Sequence, residues 1–304
     1  MENNMIRILL NGKKAALPET RSTITSLRQQ GETIDVRVTW EHGDIHRFVQ
    51  EAVSDGVHRI VAGGGDGTVN EVADAIIGID IDDRPEMAIL PLGTANDFAT
   101  SCSIPLSLNE AITLALHGDS ESVDIGRVND RHFINVATGG FGAQITTETP
   151  PQLKNFLGGG AYTLTGIIKA LNFAPVSGIL RTAESEEHFE LIAGAICNGR
   201  QAGGGQVLAP DAFINDGLLD VTMIMTFPAY DLNVVISEML DSRVNGRYVK
   251  RFKTQWVETT SMGKKEQVNL DGEPYFSRNA RFTVVPKALK LVLPEQCPCL
   301  QPNL

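Results

Sequence analysis

Hydrophobic and polar positions alternate along this chain in two different rhythms. Residues 6–10 are a short apolar run, a strand candidate, and residues 18–30 carry a helical pattern. Residues 34–38 are strand-like again and residues 44–54 helical. Arg59-Ile60-Val61-Ala62 then runs into Gly63-Gly64-Gly65-Asp66-Gly67-Thr68, and an amphipathic run follows through Val72, Ala75 and Ile76. Met87-Ala88-Ile89-Leu90 runs into a second polar turn, Gly93-Thr94-Ala95-Asn96-Asp97. This strand–helix order predicts a parallel sheet covered on both faces. From about Asp124 the rhythm changes. Residues 123–128, 133–137, 189–197, 218–225, 267–270 and 282–285 read as strands with few helices between, which predicts an antiparallel β domain, a sandwich. No internal repeat or low-complexity tract interrupts the pattern.

The two glycine turns carry the first chemistry. Glycines let a ligand approach bare backbone, and a helix N-terminus presents unpaired N–H groups and a partial positive charge. Together these seat a phosphate. The bland alternative is a tight strand-to-helix turn without a ligand, because short motifs match by chance. Asp66 is the odd member, since a carboxylate beside a phosphate repels it unless a cation or a proton transfer accounts for it. The sequence is not a Walker A loop, lacking Gly-Lys-Ser/Thr, and Thr68 breaks the G-x-G-x-x-G spacing. In an open parallel sheet, loops of this kind lie at the carboxyl ends of strands, where ligands bind. Thr68 and Thr94 can add hydroxyls, and Asn70 and Glu71 lie in the first helical turn, with helix capping as their alternative role. Lys13, after the first strand, is placed to meet a phosphate or is simply solvated. Asn269-Leu270-Asp271-Gly272-Glu273, taken alone, is a turn.

Charge and composition narrow the classes. Hydrophobic residues make up 42% and charged residues 21% of 304 positions, as in ordinary globular proteins. A net charge of −11 argues against a nucleic-acid binder and against tight adhesion to an anionic membrane. No run reaches the length of a membrane-spanning helix, and Met-Glu-Asn-Asn lacks a signal peptide's positive start, so a cytoplasmic location is expected. Cys102 and Cys197 stand alone in the sequence. Cys297-Pro298-Cys299 lacks the second cluster that a zinc site needs, and the chain ends without a prenylation box.

GGGDGTVNEV, PLGTANDFA and NLDGE, in this order and at these separations, resemble the diacylglycerol kinase catalytic-domain family, and within it the YegS-type bacterial lipid kinases. Thr39-Trp40-Glu41, Ala137-Thr138-Gly139-Gly140-Phe141-Gly142, the stretch from Asn198 to Gly205, and Ile214-Asn215-Asp216-Gly217-Leu218 agree, so the likeness spans residues 5–300. GGDGT alone is shared with NAD kinases and phosphofructokinases; its combination with GTANDFA and LDGE is not.

The resemblance implies a fold of α/β plus all-β type: a Rossmann-like N-terminal nucleotide domain over residues 1–128, a C-terminal β-sandwich lipid-substrate domain over 129–285, and a segment 286–304 returning to the first. It implies ATP contacts at Thr39, Gly65, Asp66, Gly67, Thr68, Val69, Asn70, Glu71 and Thr94. Glu273 would be the general base for a lipid hydroxyl, with Asp271 orienting the site. Asp66 and Asp97 are the candidates for the ATP-bound Mg²⁺. A second Mg²⁺, with Ca²⁺ as the alternative, would lie on Asp216 and oxygens of Phe213 and Leu218. The implied activity is an ATP- and Mg²⁺-dependent lipid kinase acting on a membrane glycerolipid hydroxyl, with phosphatidylglycerol placed first and diacylglycerol or a sphingoid base as alternatives. Transient contact with the inner membrane face follows, and oligomeric state is left open. A soluble-substrate kinase of the NAD kinase type and a non-catalytic nucleotide sensor are the competing readings. The helical pattern of residues 153–173, after Gly158-Gly159-Gly160, suggests either an apolar lip for an acyl chain or a helix packed on the sandwich.

Overall fold

A computed structural model describes residues 5–140, 175–241, 245–263 and 265–302. Phe141, Gly142 and the helical pattern of residues 153–173 lie outside the described residues. The chain divides into two compact units, Met1–Asp124 with Lys287–Leu300, and Ile125–Pro286 with Gln301–Leu304.

In the first unit, strands β1 (Ile6–Asn11), β2 (Ile34–Thr39), β3 (Arg59–Gly64) and β4 (Glu86–Pro91) form a parallel sheet in the order β2-β1-β3-β4. The apolar runs of β1, β3 and β4 are nearly continuous because both faces are covered, while the edge strand β2 alternates and buries only Ile34. Ile8, Leu10, Val61, Ala88 and Leu90 pack with Ile24 of helix α2 (Pro18–Gln29) and with Ala111, Ile112 and Ala115 of helix α6 (Leu108–His117). The alternate residues Leu9, Ile60, Met87 and Ile89 are equally buried. Helices α3 (Asp44–Ser54) and α4 (Asp66–Ile77) pack on each other. Short helices α1 (Gly12–Ala15) and α5 (Asp97–Ser101) follow β1 and the second glycine turn. Arg7 is 1% exposed on its central strand, and it is tolerated there because Asp35 (2.7 Å), Asp55 (2.6 Å) and the Phe48 carbonyl (3.2 Å) take its donors.

The second unit is antiparallel. Its strands are β5 (Ser120–Val128), β6 (Arg131–Phe133), β7 (Val136–Gly140), β8 (Val176–Arg181), β9 (Glu186–Cys197), the short pair β10 (Gln201–Ala202) and β11 (Gln206–Val207), and β12 (Leu219–Met225). Helix α7 (Leu232–Leu240) precedes β13 (Val249–Thr254), β14 (Trp256–Ser261), β15 (Glu266–Leu270), β16 (Glu273–Ser277) and β17 (Asn279–Val292). The order β16-β15-β7-β9-β8-β14-β17 buries Phe133, Phe189, Leu219, Val221, Val257, Leu270 and Phe282 in one core. The division between the units falls inside β5 and β17.

Three sequence expectations change. The single strand predicted over 133–137 is two, β6 and β7, because the N–H groups of Ile134, Asn135 and Val136 turn onto the Asp271 carboxylate instead of a neighbouring strand. Helix α7 was not anticipated in the β domain. Cys102 does not stand alone. Its thiol hydrogen-bonds Cys297 and Cys299, and these thiols and backbone N–H groups of Cys299 and Leu300 hold the Cys297 thiol well below its ordinary range.

Candidate active site

The sheet of the first unit carries one group of candidate residues. The chain steps outward from β1 to β2, then returns to the other side of β1 for β3 and β4. The strand order therefore reverses between β1 and β3, the place where open α/β sheets bind ligands. All four strands are parallel, so their carboxyl ends share one edge. Asn11 stands level with Thr39, Leu10 with Gly63, and Gly64 with Pro91. That edge gathers Thr39, the start of the first glycine turn and the start of the second, from distant parts of the chain.

The two turns touch. A methyl group on Gly93 would lie 2.4 Å from Cα of Gly65 and 2.7 Å from Asn96 Oδ1, and one on Gly64 would lie 2.4 Å from Thr68 Oγ1. Glycine is required here by close approach, since neither Gly65 nor Gly93 has positive φ. Gly65 caps α4 with extended backbone and no side chain, leaving the N-terminus of a 12-residue helix open. Asn96, at φ 53°, closes the second turn by accepting from Gly93 N at 2.8 Å and donating to its carbonyl at 3.2 Å. Asp66 Oδ1 accepts from Phe98 N at 3.1 Å and ties the two turns together. This gives the odd carboxylate a structural task, and its Oδ2 has no partner among the described residues.

Around this cradle, Gly67 and Thr94 are exposed, Thr68 and Glu71 half-buried, and Val69 and Asn70 buried. Val69 completes the helix by donating to Gly65 O and packs into the core at 3% exposure. Asn70 and Glu71 both have partners. Asp97 is 4% exposed and already partnered, whereas Asp66 is half-buried with Oδ2 open among the described residues. Lys13 is exposed in α1, at the end of β1. Sequence inspection passed over Asp44. Its Oδ2 accepts from Trp40 N at 2.6 Å and Glu41 N at 3.0 Å, and Oδ1 meets Arg47 at 2.6 Å, fixing the chain just after Thr39. These backbone N–H bonds, then Arg47, lower its pKa to about 2. The signal was available: an Asp at the start of a predicted helix.

A second group of candidate residues lies in the other unit and is described by itself. Asp271 and Gly272 both have positive φ, 48° and 104°, forming the two-residue hairpin turn between β15 and β16 that Asp-Gly favours. Asn269 Oδ1 accepts from Gly272 N at 2.8 Å. Asp271 reaches across to accept from Ile134 N (2.8 Å), Asn135 N (3.1 Å) and Val136 N (2.7 Å). The carboxylate is thus a clamp joining the hairpin to the β6–β7 bend. Glu273, two residues on and first in β16, is exposed and has no side-chain hydrogen bond or ion pair among the described residues. Beside the clamp, Asn135 Oδ1, Thr138 Oγ1 and Asn269 Nδ2 are buried without a partner among the described residues. Thr138 and Asn269 are level across the β7–β15 pair. Nothing in their spacing singled these three out.

Asp216 and Leu218 fall in the loop before β12, with Phe213. Asp216 Oδ1 accepts from Leu218 N at 3.0 Å, while Oδ2 is 2.9 Å from Lys253 Nζ. Lys253 Nζ also meets Asp220 Oδ2 at 3.0 Å and the Asp211 carbonyl at 3.2 Å. Burial alone would lower the lysine pKa, yet the bonds to Asp216 and Asp220 raise it, so the group is an ammonium. A divalent ion needs carboxylate oxygens at about 2.0–2.6 Å. Here Asp216 Oδ2 already faces the Lys253 ammonium and Oδ1 the Leu218 N–H, so a divalent ion on this carboxylate would meet a cation of the chain itself, a poor fit for a second metal.

Comparison with known proteins agrees with this arrangement. Residues 6–128 match the diacylglycerol kinase catalytic domain, and residues 136–293 match the YegS C-terminal NAD kinase beta sandwich-like domain. A Shewanella frigidimarina protein named "probable lipid kinase YegS-like" is 50% identical over 97% of this chain and 96% of its own. A Yersinia enterocolitica protein of the same name is 45% identical over 96% and 98%. A solved Bacillus anthracis structure titled as a diacylglycerol kinase superposes with a TM-score of 0.74 at 19% identity, over 97% of this chain and 98% of its own; it shows likeness of fold. Fold and matches together define a lipid kinase, an α/β catalytic domain paired with a β-sandwich-like domain. The chain belongs to the YegS-like lipid kinase family.

Proposed function

We propose that this chain transfers the γ-phosphate of ATP to a hydroxyl of a membrane glycerolipid, phosphatidylglycerol first among the candidates. The observation that carries the reading is Glu273. It is an exposed carboxylate with no partner among the described residues, on a hairpin held rigid by the Asp271 clamp. An unpaired carboxylate on a fixed turn is available to accept a proton, and the LDGE motif context favours that role over a merely solvated side chain. In this reading the open N-terminus of α4 and the backbone of both glycine turns hold the nucleotide phosphates, with Thr39, Thr68 and Thr94 adding hydroxyls. Asp66, through Oδ2, would hold the ATP-bound Mg²⁺, which spreads the phosphate charge when present. Glu273 accepts the proton of the attacking hydroxyl. Asp271 keeps the hairpin in place and takes no part in proton transfer. Asn135, Thr138 and Asn269 supply buried polar atoms that suit a hydroxylated headgroup. The net charge of −11 favours transient, peripheral membrane contact over tight adhesion, at the cytoplasmic face.

The test is transfer of labelled γ-phosphate from Mg-ATP to a panel of detergent-solubilised lipids, with Glu273→Gln beside the wild type. Loss of a general base is expected to slow transfer about 10²–10⁴-fold while ATP binding stays unchanged. Full activity in Glu273→Gln would remove it as the base. Transfer to NAD and to no lipid would replace this reading with a soluble-substrate kinase.

A further inference from the structure

We propose that Lys253 is the resident cation of the loop before β12, so that this chain closes the loop with an ammonium group and without a divalent ion. Lysine carries three N–H donors and no acceptor. Here all three have an oxygen: Asp216 Oδ2 at 2.9 Å, Asp220 Oδ2 at 3.0 Å and the Asp211 carbonyl at 3.2 Å. The acceptors come from three points of one loop-and-strand segment, and the donor comes from the neighbouring strand. Lys253 is level with Asp220 across the β12–β13 pair, so the sheet register itself places the ammonium on the acidic loop.

The surroundings favour a cation of low charge and fixed position. Side chains of Asp216 and Asp220 are 7% and 16% exposed, so their charges must be balanced locally. The Phe213 ring lies 5.5 Å from Lys253 Nζ and 5.5 Å from the Arg200 guanidinium, presenting its face to cations on the protein. Arg200 Nε donates to the Ala212 carbonyl at 2.8 Å, and Asn215 Oδ1 accepts from Gln301 N at 2.7 Å, so protein groups also hold the flanks of the loop. A divalent ion on Asp216 would have to displace the ammonium or sit against it. The loop therefore has the acidic residues of a metal site with the cation supplied from the chain.

The test reads cation binding and not phosphoryl transfer, so its outcome is separate from that of the kinase proposal. Nucleotide-free full-length protein is dialysed against radiolabelled Ca²⁺, comparing wild type, Asp216→Asn, Lys253→Met, and Lys253→Met with Asp216→Asn. The wild type and Asp216→Asn should bind equally little. Lys253→Met should bind Ca²⁺ at least about tenfold more tightly than the wild type, a difference of about 1.4 kcal/mol, and the added Asp216→Asn should abolish the gain. Ca²⁺ binding by the wild type that Asp216→Asn removes would overturn the proposal. So would a folded Lys253→Met with no gain. The wild-type comparison with Asp216→Asn decides the question even if Lys253→Met fails to fold.

Discussion

Replacing Asp271 by Asn isolates what the carboxylate of the LDGE turn does. Asn is nearly the same size and tolerates the positive φ of 48°, so the backbone has no reason to move. What changes is acceptor capacity. Asp271 Oδ2 takes two N–H groups and Oδ1 a third, and the donors belong to residues only 1%, 3% and 2% exposed. An amide has one oxygen. Its best orientation keeps that oxygen on Ile134 and Asn135 and turns its NH₂ toward the Val136 N–H. The unpaired buried N–H then costs about 1–3 kcal/mol. The two retained bonds fall from charge-assisted to neutral strength, about 1 kcal/mol each. The expected loss is about 3–5 kcal/mol in total, a large share of the ~5–15 kcal/mol typical of a folded protein. The assay is urea unfolding followed by Trp256 fluorescence in a Trp40→Phe background. That background leaves one reporter, in the same unit as the clamp. Kinase activity should fall only as the hairpin loosens. A variant with undiminished stability but abolished transfer would refute the clamp argument and put Asp271 in the chemistry itself.

Gly93→Ala should damage the cradle formed by the two glycine turns, the proposed nucleotide seat, without touching the proposed base Glu273. Its methyl would sit 2.4 Å from Gly65 Cα where ordinary contact begins at 3.4 Å, so the turns must part by 3.4 − 2.4 = 1.0 Å. Overpacking of this kind costs about 1–3 kcal/mol, and a ~1 Å misplacement slows positioned chemistry up to about 10²-fold. Unchanged ATP affinity and melting temperature would show that the two turns do not act as one unit. Asp44 should confer acid resistance. Its pKa is lowered from 3.8 to about 2, so its stabilisation is present above pH 4 and is lost as pH falls toward 2. The melting temperature of Asp44→Asn should therefore lie below that of the wild type at pH 6 and converge with it near pH 2; a gap that persists at pH 2 would contradict this.

The sequence by itself determined the local elements and the chemistry of the turns. Apolar runs at the strand period, interrupted by helical patterns, were enough to place β1 to β4 and α2 to α4, because burial on both faces writes itself into consecutive residues. The Asp-Gly hairpin was legible because few residues accept positive φ, and the glycine turns were legible as polar glycine clusters that end apolar runs. Contacts made over long separations were decided by tertiary structure. Asp271 captures N–H groups 135 to 137 residues earlier, which splits a predicted strand in two. Cys102 meets Cys297 and Cys299 from the far end of the chain. Gly65 and Gly93 need their missing side chains because of each other. Lys253 sits on the Asp216 carboxylate that resemblance had assigned to a metal. Local periodicity records which face of an element is buried, but it does not record which distant group will meet a given donor. That pairing is set by strand order and register, which exist only once the chain has folded.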